Sequence, residues 1–222
     1  MVLIFDYDGT LHDTAALYGR AVRSVLPELE KAGYAVPREC SDQDLSKYLG
    51  MTGQQMWEDF MPELPTELRE MAREKVGQNL RTGITEGYAR LYDGIPELLS
   101  DLKEQGHTLV ILSNCREAYL MAHRAYFSLD QWFSGYYCSS GYENAPKEVI
   151  FESIRSDFPG EYIMIGDRAS DIRVGIVHHI PTIACSYGFG REEEWHGADC
   201  VASCVQELAE SISMVQGIYR LQ

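Results

Sequence analysis

The chain has 222 residues, 45% hydrophobic and 24% charged, which suits one large domain or a core domain carrying a smaller insert. It is long enough to bury a core without disulfide or metal staples. A formal net charge of −15 argues against non-specific binding to nucleic acid or to an anionic membrane, so an anionic ligand must be drawn in by a local cation.

Val2–Phe5 is a four-residue apolar run stopped by Asp6, and it reads as a buried strand. The run is too short for a signal peptide or a membrane span, so a cytoplasmic protein is expected. From Asp13 to about Tyr88 only helical patterns follow. Leu17, Ala21, Val22, Val25 and Leu26 form one stripe. Ser41 with Asp44 three residues later makes a weak capping box, and Leu64-Pro65-Thr66-Glu67 opens another helix, with Leu68, Met71 and Val76 behind it. Beyond this block, Glu97–Gln105 sets Leu98, Leu99 and Leu102 on one face, and Gly106 ends that helix. Thr108–Leu112, Gly135–Cys138, Tyr162–Ile165 and Thr182–Cys185 read as further strands, with helices at Val149–Ser156 and Val205–Val215 between or after them. The expected fold class is α/β, a Rossmann-like parallel sheet flanked by helices. Residues 1–13 and 89–222 are expected to form this core, and 14–88 an inserted helical domain, with hinges at His12–Thr14 and Gly83–Gly94.

Six cysteines are present (Cys40, Cys115, Cys138, Cys185, Cys200 and Cys204), with no CxxC pair and no histidine at zinc spacing. Free thiols in a reducing compartment are expected, with Cys200 and Cys204 spaced to share a helix face.

Ligands of open parallel sheets bind beyond the carboxyl ends of the strands. The first strand is followed by Asp6-Tyr7-Asp8-Gly9-Thr10, the second by Ser113-Asn114, and the fourth by Gly166-Asp167 with Asp171 four residues on. Carboxylates from two strands and a hydroxyl from a third are thus expected at one edge. Two carboxylates ~5 Å apart repel by ~3 kcal/mol at an effective dielectric of ~20. A divalent cation relieves that repulsion, and oxygen-only donors favour Mg²⁺ over Zn²⁺. A phosphoryl group also needs donors on its far side. Ser113 and Asn114 at a strand-to-helix turn fit this need, and so does Lys147, the last lysine in the chain. Thr10 is expected to hydrogen-bond nearby, and Gly9 to let the backbone pass close to the site.

On these residues the sequence resembles the haloacid dehalogenase superfamily, in its phosphatase branch with a helical cap. Four motifs appear in order: Asp6-Tyr7-Asp8-Gly9-Thr10-Leu11, Leu112-Ser113-Asn114, Lys147, and Gly166-Asp167 through Asp171. Tyr187-Gly188-Phe189-Gly190 and Gly197-Ala198-Asp199 resemble the tail of phosphoglycolate-phosphatase-like members. One departure is Glu148 after Lys147, where many relatives have proline.

The resemblance implies that Asp6 is a nucleophile forming an aspartyl-phosphate, and Asp8 an acid and base. It implies Mg²⁺ held by Asp6, the Asp8 main-chain carbonyl and Asp167, oriented by Asp171. It further implies a small phosphorylated metabolite as substrate, bound through Ser113, Asn114 and Lys147, and a cap that closes over the site. Asp8 argues against dehalogenation or phosphonate cleavage. A sugar-phosphate mutase shares these features, with Arg20, Lys47 and Thr52 as conceivable cap contacts that read better as surface residues. A phosphoacceptor signalling module would be shorter and lack the helical insert. A monomer or homodimer is expected.

Overall fold

Val2-Leu3-Ile4-Phe5 forms strand β1 (Val2–Phe5), buried on both faces, and the rest of the sheet is laid down on either side of it. The structure, a computed structural model, describes residues 1–49, 51 and 53–219. Its sheet contains β2 (Thr108–Ser113), β3 (Phe133–Cys138), β4 (Tyr162–Gly166), β5 (Thr182–Cys185) and β6 (Cys200–Ala202) in the order β3-β2-β1-β4-β5-β6. All neighbouring strands are parallel, with Val2 opposite Thr108 on one side and Tyr162 on the other. The chain works outward from β1 through β2 to β3, then returns to β4 on the other flank. The strand order therefore reverses between β1 and β4, which opens a crevice at their carboxyl ends.

Alternation along the strands sorts the core into two layers. Leu3 and Phe5 of β1, Leu109 and Ile111 of β2, and Ile163 and Ile165 of β4 face one layer. There they meet helices α6 (Ile95–Glu104), α7 (Glu117–Tyr126) and α10 (Val205–Tyr219) through Leu99, Leu120 and Leu208. Val2, Ile4, Val110, Leu112 and Met164 face the other layer, against Ile150, Phe151 and Ile154 of α8 (Lys147–Asp157) and Val174 of α9 (Ala169–His178).

The chain divides into two compact units, Met1–Asp13 with Leu91–Gln222, and Thr14–Arg90. The second unit is helical: α1 (Thr14–Arg23), α2 (Leu26–Lys31), α3 (Asp42–Ser46), α4 (Gly53–Phe60) and α5 (Thr66–Thr85). Its own core gathers Val22, Val25 and Leu29 with Leu45, Met56, Trp57, Ala72 and Val76. Ser41 caps α3 as its spacing indicates: Asp44 N–H donates to Ser41 Oγ at 3.1 Å, and Ser41 N–H donates to Asp44 Oδ2 at 2.9 Å. Arg20 lies over the Tyr88 ring and Lys47 over Tyr48; Thr52 lies outside the described residues.

Two local expectations need correction. Cys200 lies on strand β6 and Cys204 precedes α10, so they share no helix face; a three-residue edge strand leaves too little period to read from sequence. Helix α8 starts at Lys147 rather than Val149, because Pro146 supplies the extended residue that opens it. All six cysteines are free thiols. No helix among the described residues is long and apolar enough to cross a membrane.

Candidate active site

Asp6 is the first residue beyond β1, and its N–H donates to the Ile165 carbonyl of β4 at 2.8 Å, so it sits at the mouth of the crevice. Asp167 is the first residue beyond β4, and Asp171 lies in the first turn of α9. Each offers a carboxylate oxygen, and these oxygens lie within 4.8 Å of one another. All three residues are buried.

Lys147, 1% exposed, reaches into this cluster from the start of α8. Its Nζ donates to Asp6 Oδ1 at 2.7 Å and to Asp171 Oδ1 at 2.6 Å. An ammonium buried this deeply is stable only when charged partners surround it. The two carboxylates hold the Lys147 pKa above its ordinary value against the opposing effect of burial. Lys147 is therefore an interior cation and not a surface lysine.

Asp171 is fully engaged. Its Oδ1 takes Lys147, and its Oδ2 accepts from Arg168 N–H at 3.0 Å. Asp167 is held differently. Phe189 N–H donates to its Oδ2 at 2.7 Å and the Trp195 indole to its main-chain oxygen at 2.9 Å, while its buried Oδ1 has no hydrogen-bond partner among the described residues. Burial is the largest cause raising both Asp6, pushed up to about 7, and Asp167, pushed well above its ordinary range. Lys147 acts against that rise at Asp6, whereas Asp6 and Asp171 add to it at Asp167.

Three buried carboxylates facing one ammonium leave two formal negative charges when all are ionised. That balance, the oxygen-only donor set and the orphaned Asp167 Oδ1 fit a hard divalent cation of the Mg²⁺ kind. Gly9 supports the cluster: at φ +86° it adopts a conformation glycine accepts, and a Cβ there would meet Asp167 Oδ2 at 2.5 Å.

Asp8 stands apart from the three. Its Oδ1 accepts the Tyr119 hydroxyl at 2.9 Å and lies 3.1 Å from His12 Nδ1. Ser113 ends β2 in a buried position, and Cys115 N–H donates to its Oγ at 3.2 Å. Asn114 is exposed, and its carbonyl accepts from Ser139 Oγ. Thr10 hydrogen-bonds through its main chain, with its N–H donating to the Tyr7 carbonyl at 3.4 Å and its own carbonyl accepting from Tyr187 OH at 2.9 Å, while its buried hydroxyl has no partner among the described residues.

Residues that sequence reasoning missed surround Asp8. His12 is fully buried, stacks on Tyr7 and lies edge-on to His123 at 4.4 Å between ring centroids. Tyr7 and His123 share a hydrogen bond of 2.8 Å. Burial, then His12, depresses the His123 pKa to about 3, so this ring is neutral. The loop around Phe189, Glu194 and Trp195 was likewise unread as part of the site. Glu194 accepts from Arg168 Nε at 2.9 Å and Ala169 N–H at 3.2 Å.

Residues 3–185 match the family model described as haloacid dehalogenase-like hydrolase. The 5'-nucleotidase of Pseudomonas aeruginosa is 29% identical over 206 residues, covering 86% of this chain and 85% of that protein. The tyrosine-protein kinase PtkA of Mycobacterium tuberculosis is 28% identical over 86% of this chain, which spans 64% of that protein's length. Phosphoglycolate phosphatases are also among the relatives. A predicted phosphatase from Clostridium acetobutylicum has the same fold, with a TM-score of 0.77 and 26% identity over 96% of this chain and 98% of that one. The chain belongs to the haloacid dehalogenase-like hydrolase family.

Proposed function

We propose that the chain is a Mg²⁺-dependent phosphatase that hydrolyses a small phosphate monoester through an aspartyl-phosphate on Asp6. The observation that carries this reading is the bridge from Lys147 to Asp6 and Asp171, beside an Asp167 oxygen that has no hydrogen-bond partner among the described residues. A buried cluster so arranged is suited to hold a cation and a transferring anion together.

In the first step a carboxylate oxygen of Asp6 attacks phosphorus. The ester P–O bond breaks, and Asp8 gives a proton to the leaving oxygen. In the second, Asp8 takes a proton from water as the water oxygen attacks phosphorus. The bond to Asp6 then breaks, which frees inorganic phosphate and restores the carboxylate. Ser113 Oγ, N–H groups at Asn114 and Lys147 Nζ bind the phosphoryl oxygens. Asp6, Asp167 and the Asp8 main-chain carbonyl would hold Mg²⁺, and Asp171 fixes Lys147 in place. When bound, the ion offsets the negative charge of the phosphoryl group.

The names of the relatives make nucleoside 5'-monophosphates and phosphoglycolate the first substrates to try. The test is continuous release of phosphate from p-nitrophenyl phosphate with Mg²⁺ and its loss in EDTA, followed by a phosphometabolite panel ranked by kcat/KM. Asp6→Asn should abolish turnover with the fold intact. Activity that survives in that variant refutes the nucleophile. A single stoichiometric burst with no turnover would instead favour a phosphoacceptor.

A further inference from the structure

We propose that Ser139 is a positioning residue for phosphoryl transfer: with Ser140 it holds the turn that joins β2 to α7, and so keeps Ser113 and the Asn114 N–H in place for the phosphoryl oxygens. This deepens the phosphatase reading above and rests on it.

The turn is held from outside. Between Ser113, the last residue of β2, and Glu117, the first of α7, the chain runs through Asn114, Cys115 and Arg116. Cys115 N–H donates to Ser113 Oγ at 3.2 Å, a contact within the turn. Two further ties come from the segment that follows β3. Ser139 Oγ donates to the Asn114 carbonyl at 3.1 Å, and Glu117 N–H donates to Ser140 Oγ at 2.9 Å. The first bond fixes the plane of the peptide between Asn114 and Cys115, and the second fixes where α7 begins. The Asn114 N–H, assigned above to the phosphoryl oxygens, is left without a hydrogen-bond partner among the described residues.

Ser139 is itself fixed. It follows Cys138, which lies opposite Ser113 in the ladder of β2 and β3, and it is 8% exposed. A buried hydroxyl requires a partner, and the Asn114 carbonyl supplies it. Its own carbonyl accepts from Asn144 N–H at 2.8 Å, and that of Tyr142 accepts from Ala145 N–H at 2.8 Å. Glu143 and Asn144 stand in the left-handed region at φ +55° and +59°, which turns the segment back on itself. The segment then reaches Pro146 and the start of α8 at Lys147. One connection thus carries the two serines at its beginning and Lys147 at its end, and it sets two phosphoryl-binding groups relative to each other.

Inorganic phosphate, the product, is the probe. Its inhibition constant against p-nitrophenyl phosphate is measured at saturating Mg²⁺ in the wild type, Ser139→Ala, Ser140→Ala and Ser100→Ala. An inhibition constant does not depend on how much of a preparation is folded, so a merely structural role leaves it unchanged. Loss of one neutral hydrogen bond should raise it roughly three- to tenfold in Ser139→Ala and in Ser140→Ala. Mg²⁺ affinity without phosphate, by calorimetry, should stay as in the wild type, because the turn carries none of the ligands assigned to the ion. Ser100 Oγ donates to the Pro96 carbonyl at 2.8 Å within α6, so Ser100→Ala removes a bond of the same kind away from the turn and should leave the constant alone. An unchanged constant in Ser139→Ala, or an equal rise in Ser100→Ala, overturns the positioning role and leaves the phosphatase reading standing. A parallel loss of Mg²⁺ affinity in Ser139→Ala overturns it as well. A wild type that hydrolyses no phosphate ester overturns both readings.

Discussion

Lys147 places its ammonium 2.7 Å from Asp6 Oδ1 in a site where both side chains are buried. The same nitrogen binds Asp171 at 2.6 Å, so one cation holds together side chains from the ends of β1 and α9. Lys147→Met should therefore leave three buried carboxylates without compensation. A loss of ~3–5 kcal/mol is expected from breaking a buried pair in this way. Urea unfolding at pH 7.5 in EDTA checks it, and the loss should shrink at pH 5, where the carboxylates take up protons. A variant as stable as the wild type would mean that the cluster is not ionised.

Asp6 also links stability to pH. Its pKa in the folded protein is pushed up to about 7, mainly by burial, from an ordinary 3.8. Between those values the folded state holds a proton that the unfolded chain has released. The resulting stabilisation is full below about pH 4 and is lost as pH rises through about 7. In metal-free buffer, Asp6→Asn has nothing to titrate at this position. Its Tm relative to the wild type should therefore rise from pH 5.5 to 7.5. Mg²⁺ at 100 times its Kd should restore about 2.7 kcal/mol to the wild type by mass action. A Tm difference that falls with pH would contradict the assignment.

Gly9 is a tight point in the backbone. At φ +86° an alanine would be strained, and its Cβ would press on Asp167 Oδ2. Gly9→Ala should cost ~1–3 kcal/mol of stability and displace the Asp167 carboxylate. Thermal unfolding and a Mg²⁺ titration by calorimetry would show both. Unchanged metal affinity would mean that the backbone moves and the carboxylate does not.

The central strands were legible because β1, β2, β4 and β5 are buried on both faces and appear as short apolar runs. Strand β6, with Val201 exposed at the edge of the sheet, carries no such run. Asp6 and Asp167 are the first residues past two such runs, so their position at one edge followed from the strand reading itself. Lys147 is different. Nothing in Pro146-Lys147-Glu148 distinguishes a buried ammonium from a surface one, and only the acidic partners decide it. The Asp8 surroundings were not legible at all. His12 and Tyr119 are 107 residues apart, and no local pattern marks two rings that meet only through packing. The loop carrying Phe189 and Trp195 was visible as a glycine-rich segment, but the use of a main-chain N–H on Asp167 leaves no side-chain signature.

That loop yields the remaining prediction. Phe189 N–H occupies Asp167 Oδ2, the Trp195 indole holds the Asp167 carbonyl, and Glu194 ties down Arg168 and Ala169. With Oδ2 taken, Oδ1 is the oxygen left for a cation, and its aim depends on the loop. Outer partners of metal ligands typically contribute ~10–100-fold to affinity. Trp195→Phe keeps the ring but loses the N–H, so Mg²⁺ should bind about tenfold more weakly by calorimetry, with only ~1 kcal/mol lost in stability. Trp132→Phe is the matched control. The Trp132 indole donates to Ser100 Oγ at 2.9 Å, between the end of β3 remote from the acidic cluster and α6, so its loss should leave Mg²⁺ affinity unaltered. If both variants bind Mg²⁺ like the wild type, Asp167 is aimed by its own backbone and the loop only covers it.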